Sequence, residues 1–184
     1  MRVIAGSVKG ARLQSPPGGA LRPTSDRTKQ ILFDTLFSYA SLQNSSILDL
    51  FAGSGSLGIE ALSRGARNAV FVDSSRKALQ FLRKNLEKTH FTKQSRIFNA
   101  DAVAFLMKKR DNHGFDFVFA DPPYEQGFAQ KVVTEAGCTE LLRLGGLLVL
   151  EESFRTSFEL PESLALINEK KCGDTRLFFI SREA

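Results

Sequence analysis

Ile47-Leu-Asp-Leu-Phe-Ala-Gly-Ser-Gly-Ser-Leu-Gly58 decides the fold of this chain. An apolar strand runs into a glycine-rich turn, and the turn opens a helix, the order of elements that a nucleotide-cofactor site requires in an α/β protein. Gly53, Gly55 and Gly58 fit the G-x-G-x-x-G spacing, which by itself also fits a nicotinamide or flavin enzyme. Asp49, near the carboxyl end of the strand, shifts that balance. A carboxylate beside the turn opposes a pyrophosphate, whereas it suits the cationic methionine part of S-adenosylmethionine, which carries a sulfonium and an ammonium and no phosphate. Outward from this stretch, buried strands alternate with amphipathic helices. Strands are expected over residues 46–50, 69–73, 95–99, 116–120 and 147–151, helices over 57–64, 75–88, 102–109 and 126–142, and a closing hairpin over 164–169 and 176–180. The pattern predicts an α/β fold on a mainly parallel sheet.

Three further acidic residues fall at strand ends. Asp73 ends the second strand about twenty residues beyond the glycines, where a carboxylate can accept the hydroxyls of a ribose. Asp101 follows the third strand and can either accept from an adenine amino group or cap the helix behind it. Asp121 opens Asp121-Pro-Pro-Tyr124, directly after the apolar run Phe117-Val-Phe-Ala120. An aryl amine is a poor nucleophile because its lone pair is delocalised into the ring. Two acceptors aimed at its two hydrogens draw that pair out of conjugation, and the Asp121 carboxylate and the Pro122 carbonyl are suitable acceptors. Pro122 and Pro123 stiffen the turn that presents them. Tyr124 offers a ring on which a flipped or single-stranded base can stack.

The chain has 184 residues, 42% of them apolar, which suffices for one domain with a full core. No apolar run approaches the roughly 20 residues that span a bilayer, no signal-peptide core opens the chain, and the expected location is the cytosol. Cys138, Cys172, His90 and His113 show no metal-ligand spacing, so reduced thiols and no metal are expected. The formal charge of +5 is unevenly placed: within residues 1–30, Arg2, Lys9, Arg12, Arg22, Arg27 and Lys29 face Asp26 alone, and the remainder is neutral. A basic arm on a neutral body suits docking to a polyanion, with Arg2, Lys9, Arg12, Arg22 and Arg27 as candidate phosphate contacts, although a solubilising tail has the same charge. Residues 1–23 are expected to form a small hairpin and a Pro/Gly connector ahead of a single unit over 24–184, with Thr24 or Ser25 capping the first helix. Lys108-Lys-Arg110 reads as a solvated helix end.

Taken together, these segments resemble the bacterial 16S ribosomal RNA guanine-N2 methyltransferases of the RsmD type. The resemblance rests on Arg2-Val-Ile-Ala-Gly6, Lys9-Gly10, Leu21-Arg-Pro-Thr-Ser-Asp-Arg27, Ile31-Leu-Phe33, Asp49 to Gly55, Leu57 to Gly65, Asp121 to Tyr124 and Gly173-Asp-Thr175. It implies a class I methyltransferase fold, Rossmann-like, with a seven-stranded sheet. It also implies S-adenosylmethionine as donor, with S-adenosylhomocysteine as product, and 16S rRNA in an assembling small subunit as acceptor. Asp49, Phe51, Gly53, Gly55, Asp73 and Asp101 take the cofactor positions, and Asp121, Pro122, Pro123 and Tyr124 the amine-binding positions. Gln30 and Cys172 depart from the family's usual acid and aromatic. The chain is taken as a monomer. Adenine-N6 methylation of DNA or RNA uses the same four-residue logic and stays open at this point. Glutamine methylation of a protein usually has Asn at the place of Asp121, and a non-catalytic rRNA-binding assembly factor would not need an intact cofactor loop.

Overall fold

The computed structural model describes residues 1–16, 25–108, 114–124 and 126–183. Alternating side chains along each strand point to opposite faces, so an apolar strand is covered on both sides. In β4 (Phe115–Ala120), Phe117 and Phe119 enter one core with Phe33, Phe71 and Phe179, while Val118 and Ala120 enter the other with Phe105, Val132 and Leu148. Helices α1 (Asp26–Phe37), α2 (Ser56–Ser63) and α3 (Arg76–Lys88) supply the first core; α4 (Ala102–Leu106) and α5 (Phe128–Cys138) supply the second.

The remaining strands are β1 (Ser46–Leu50), β2 (Asn68–Asp73), β3 (Ser95–Asn99), β5 (Leu142–Ser153), β6 (Leu164–Cys172) and β7 (Thr175–Arg182). They form one seven-stranded sheet in the order β3-β2-β1-β4-β5-β7-β6. The first five are parallel, and β7 lies antiparallel between β5 and β6. The strand order reverses between β1 and β4, and in open sheets of this kind ligands bind beyond the carboxyl ends of the strands at that reversal. No described helix is long and apolar enough to cross a membrane.

Several expected boundaries move. The helix expected over 126–142 is confined to Phe128–Cys138: Gly127 enters it with φ +71°, and Leu142 is taken into the sheet opposite Phe115. The register slips before Phe117 pairs with Leu147, so Arg143 to Gly146 form a bulge that periodicity alone does not reveal. The helix expected over 102–109 ends at Leu106 within the described residues, and Lys109 and Arg110 lie outside them. Ser25 caps α1 by accepting from the Thr28 N–H at 3.0 Å, and α1 stops at Phe37. Thr24 lies outside the described residues.

The amino-terminal arm folds back on itself with a single antiparallel bridge, Arg2 to Arg12, rather than two strands. It is fastened to the body. Val3 and Leu13 are buried, the Ile4 and Ala5 N–H groups donate to the Glu60 carboxylate, and Gln14 exchanges hydrogen bonds with the Asn85 side chain at 2.8 and 2.9 Å.

Candidate active site at the carboxyl edge of the sheet

The glycines of the β1–α2 turn have different tasks. A Cβ at Gly55 would lie 2.3 Å from Leu82 of α3, and one at Gly58 would lie 2.3 Å from Phe71 of β2, so both are required by packing. Gly53, at φ +55°, faces open space. Its backbone is the part of the turn that a ligand can approach closely.

Two carboxylates stand behind this opening. Asp73 ends β2 and accepts from the Gly53 and Ser75 N–H groups, both at 2.7 Å, which ties the turn to the next strand. Asp49 is turned beneath the loop, 3% exposed, and accepts from the Gly58 N–H at 2.8 Å. Burial, opposed by that hydrogen bond, pushes its carboxyl up to about 7. The donor set is therefore acidic around open space, which fits a cationic ligand with a ribose and provides nothing to neutralise a pyrophosphate. Asp101 is exposed and caps α4, accepting from the Ala104 N–H at 2.8 Å. Its geometry is that of the helix cap. Phe51, at φ +57°, sets its ring edge-on to Phe128 at 5.3 Å and thereby joins the glycine-rich turn to the start of α5.

The Asp121-Pro-Pro-Tyr124 loop lies beside that turn. Leu50 of β1 and Ala120 of β4 are register partners, so the next residues, Phe51 and Asp121, leave adjacent strands that are about 4.8 Å apart. Pro122 is buried; Asp121, Pro123 and Tyr124 are partly exposed. The Tyr124 hydroxyl donates to Glu151 Oε1 at 3.0 Å, and the Thr175 hydroxyl donates to the same oxygen at 3.3 Å. Burial, together with the negative charges of Asp121 and Glu151, holds the Tyr124 hydroxyl protonated far above its ordinary range. The ring is thus held at its outer end as well as at its backbone.

Tyr124 and Glu151 line a cavity of about 330 Å³ with Arg27, Thr28, Lys171 and Asp174. Four segments that are distant in sequence meet here: the start of α1, the Asp121-Pro-Pro-Tyr124 loop, the end of β5, and the Gly173-Asp-Thr175 turn between β6 and β7. Cys172 also borders the cavity, and burial pushes its thiol up, so it stays protonated at neutral pH. Among the candidate phosphate contacts, Arg2, Lys9, Arg12 and Arg27 are exposed, Arg2 pairing with Asp26 at 2.9 Å; Arg22 lies outside the described residues.

The chain matches the family described as Conserved hypothetical protein 95 over residues 1–181. It belongs to that family. Ribosomal RNA small subunit methyltransferase D of Escherichia coli K12 is 34% identical over 185 residues, covering 100% of this chain and 91% of that protein. The solved structure of Escherichia coli yhhF superposes with a TM-score of 0.86 at 33% identity, covering 100% of this chain and 98% of that one. SMU.776, solved in complex with SAH, is 14% identical with a TM-score of 0.67, covering 83% of this chain and 49% of that one; that likeness concerns the fold. The fold is the class I methyltransferase fold that the family resemblance implies, on the mainly parallel sheet expected from the strand and helix pattern.

Within this family member, two features lay outside the sequence-based reading. Alternation marks Glu151 only as the end of a strand, and the signal for its role is an acid directly after Leu147-Leu-Val-Leu150 at the carboxyl edge. Lys29, counted with the basic arm, is instead 0% exposed. Its ammonium lies 3.4 Å from Glu60 and donates to the Arg2 carbonyl, while Arg64 pairs with Glu60 at 2.8 Å. Burial lowers the Lys29 pKa and Glu60 opposes that shift. Periodicity could have placed Lys29 on the buried face of α1, since Leu32, Phe33 and Leu36 follow at helical spacing.

Proposed function

We propose that this protein transfers the methyl group of S-adenosylmethionine to the exocyclic N2 amine of a guanine in the 16S rRNA of the small ribosomal subunit. The register of Leu50 with Ala120 carries this reading, because it sets the cofactor turn and the amine loop side by side at the strand reversal. S-adenosylmethionine supplies an electrophilic methyl group on a positively charged sulfur. Asp73 holds the ribose hydroxyls, the Gly53 backbone lets the ligand lie close, and buried Asp49 places negative charge under the cationic end. The Asp121 carboxylate and the Pro122 carbonyl accept from the two amine hydrogens and turn the nitrogen lone pair toward the methyl group. Tyr124 stacks on the base, which is reached only when it is unpaired or flipped out.

The full-length likeness to the Escherichia coli small-subunit enzyme supports ribosomal RNA as the acceptor. Exposed Arg2, Lys9, Arg12 and Arg27 give the phosphate backbone a docking surface. The test is methyl transfer from labelled S-adenosylmethionine to small subunits prepared from cells lacking this activity, followed by nucleoside chromatography. Label in N2-methylguanosine is the expected result. Label in N6-methyladenosine overturns the choice of base, and the absence of label from RNA overturns the acceptor class.

A further inference from the structure

Beyond the end of β5 the chain exposes an aromatic ring in an unusual setting. Phe154 is 37% exposed, with the Arg155 guanidinium 5.3 Å and the Lys171 ammonium 5.5 Å from its ring centroid. The ring does not sit on a loose loop. The Phe154 N–H donates to the Asp174 carbonyl at 3.2 Å, the Arg155 N–H to the Ser153 hydroxyl at 3.3 Å, and the Thr156 N–H to the Ser153 carbonyl at 3.1 Å. The first of these bonds fastens the turn to the β6–β7 hairpin, whose Lys171 and Asp174 line the same cavity as Tyr124, and the other two close the turn on Ser153.

We propose that Phe154, Arg155 and Lys171 form a clamp for single-stranded RNA, holding the nucleotide that flanks the methylated base. This inference rests on the proposed nucleic-acid acceptor and adds a binding site to it. Single-stranded RNA is gripped by stacking its unpaired bases on aromatic rings or guanidinium planes while cations meet its phosphates. All three components are present here, Phe154 and Arg155 on the turn after β5 and Lys171 near the end of β6, where it lines the acceptor cavity. An apolar core has no use for an exposed ring beside two cations, whereas a nucleotide offers both a π face and a phosphate. The cluster is invisible to a charge count because it lies in the part of the chain whose net charge is zero. Lys171 of the cluster lines the same cavity as Arg27, so the cluster adjoins the cavity that also receives the start of α1.

The experiment compares the whole protein with Phe154→Ala, Phe154→Tyr and the double variant Arg155→Gln/Lys171→Gln. Steady-state methylation of small subunits is measured at several salt concentrations, with S-adenosylmethionine binding as the check on folding. Phe154→Ala should raise KM for the subunit about tenfold, within the range of a lost base–aromatic stack, with kcat and cofactor affinity within about twofold of wild type. Phe154→Tyr should restore KM. The double variant should flatten the salt dependence of binding by about one to two charges. Unchanged KM in Phe154→Ala, or a raised KM that Phe154→Tyr does not restore, overturns the clamp while wild-type methylation of RNA still upholds the acceptor. A wild type that neither binds nor methylates RNA overturns both.

Discussion

The two halves of the carboxyl edge are built differently. The half proposed to hold the cofactor draws its parts from one short run: Asp49, Phe51, Gly53, Gly55 and Gly58 are local, and Asp73 is the end of the next strand. The acceptor half is assembled from α1, the β4 loop, the end of β5 and the β6–β7 turn, which chain connectivity separates by more than a hundred residues. A turn whose geometry depends on its own glycines tolerates little change but is set locally. A cavity whose walls come from four segments depends on what holds those segments together.

The largest expected effect separates the halves outright. Asp121→Ala removes one of the two acceptors proposed for the amine and should lower kcat by roughly a thousandfold, in the range found when a positioned hydrogen-bond partner of a reacting group is lost. S-adenosylmethionine affinity, measured by calorimetry, should stay within about twofold. A variant that retains wild-type turnover would show that the amine is oriented by something else.

Next comes the support beneath the acceptor half. Glu60→Ala leaves the Lys29 ammonium buried without its carboxylate and removes the acceptor for the Ile4 and Ala5 N–H groups. Breaking a buried pair from one side costs about 3 kcal/mol or more, which should appear as a lowered denaturant midpoint. Because the same network touches the arm and α1, KM for the subunit should rise as well. An unchanged midpoint would mean that the arm and α1 are held by apolar packing alone.

This contrast also explains what could be read without coordinates. Strand ends and glycines are short-range signals, so β1, β2, β4, the turn and the Asp121-Pro-Pro-Tyr124 loop are legible from spacing and alternation. The bulge at Arg143 to Gly146 is not, because the pairing of Leu142 with Phe115 is a long-range choice that competes with a plausible helix extension. Lys29 misleads for a related reason: a formal charge carries no information about burial, and its partner Glu60 lies thirty-one residues away. Glu151 becomes meaningful only when β7 brings Thr175 and the amine loop brings Tyr124 to the same oxygen.

A smaller effect belongs to the cofactor half and is read through pH. Asp49 titrates at about 7 in the folded protein, against about 3.9 when exposed. Below the lower value both states hold the proton and the benefit to the fold is complete. Between the two values only the folded state holds it, so stability falls as pH rises, by up to about 1.4 kcal/mol per unit, and the loss is complete above about 7. Asp49→Asn should flatten this slope, which a series of denaturant midpoints from pH 5 to 8 will show as the difference from wild type. S-adenosylmethionine, being cationic, should bind wild type more tightly at pH 8 than at pH 6. A wild-type slope identical to that of Asp49→Asn would place the proton elsewhere.

The smallest effect tests whether the acceptor half needs its tyrosine fixed in place. Tyr124 could serve as a stacking surface with its hydroxyl irrelevant, or the Glu151 contact at 3.0 Å could set the ring plane on which the base lands. Tyr124→Phe keeps the ring and removes the hydroxyl; Glu151→Gln keeps an acceptor oxygen but removes its charge. If the contact positions the ring, each change should lower kcat about threefold to tenfold, a charge-assisted hydrogen bond being worth about 1.5 to 3 kcal/mol and only part of it being expressed at the reacting atoms. The double variant should then be no worse than the more damaging single one, because both remove the same bond. Strict additivity would instead assign Glu151 to the Thr175 hydroxyl and the β6–β7 turn, and would leave Tyr124 as a ring held by its backbone alone.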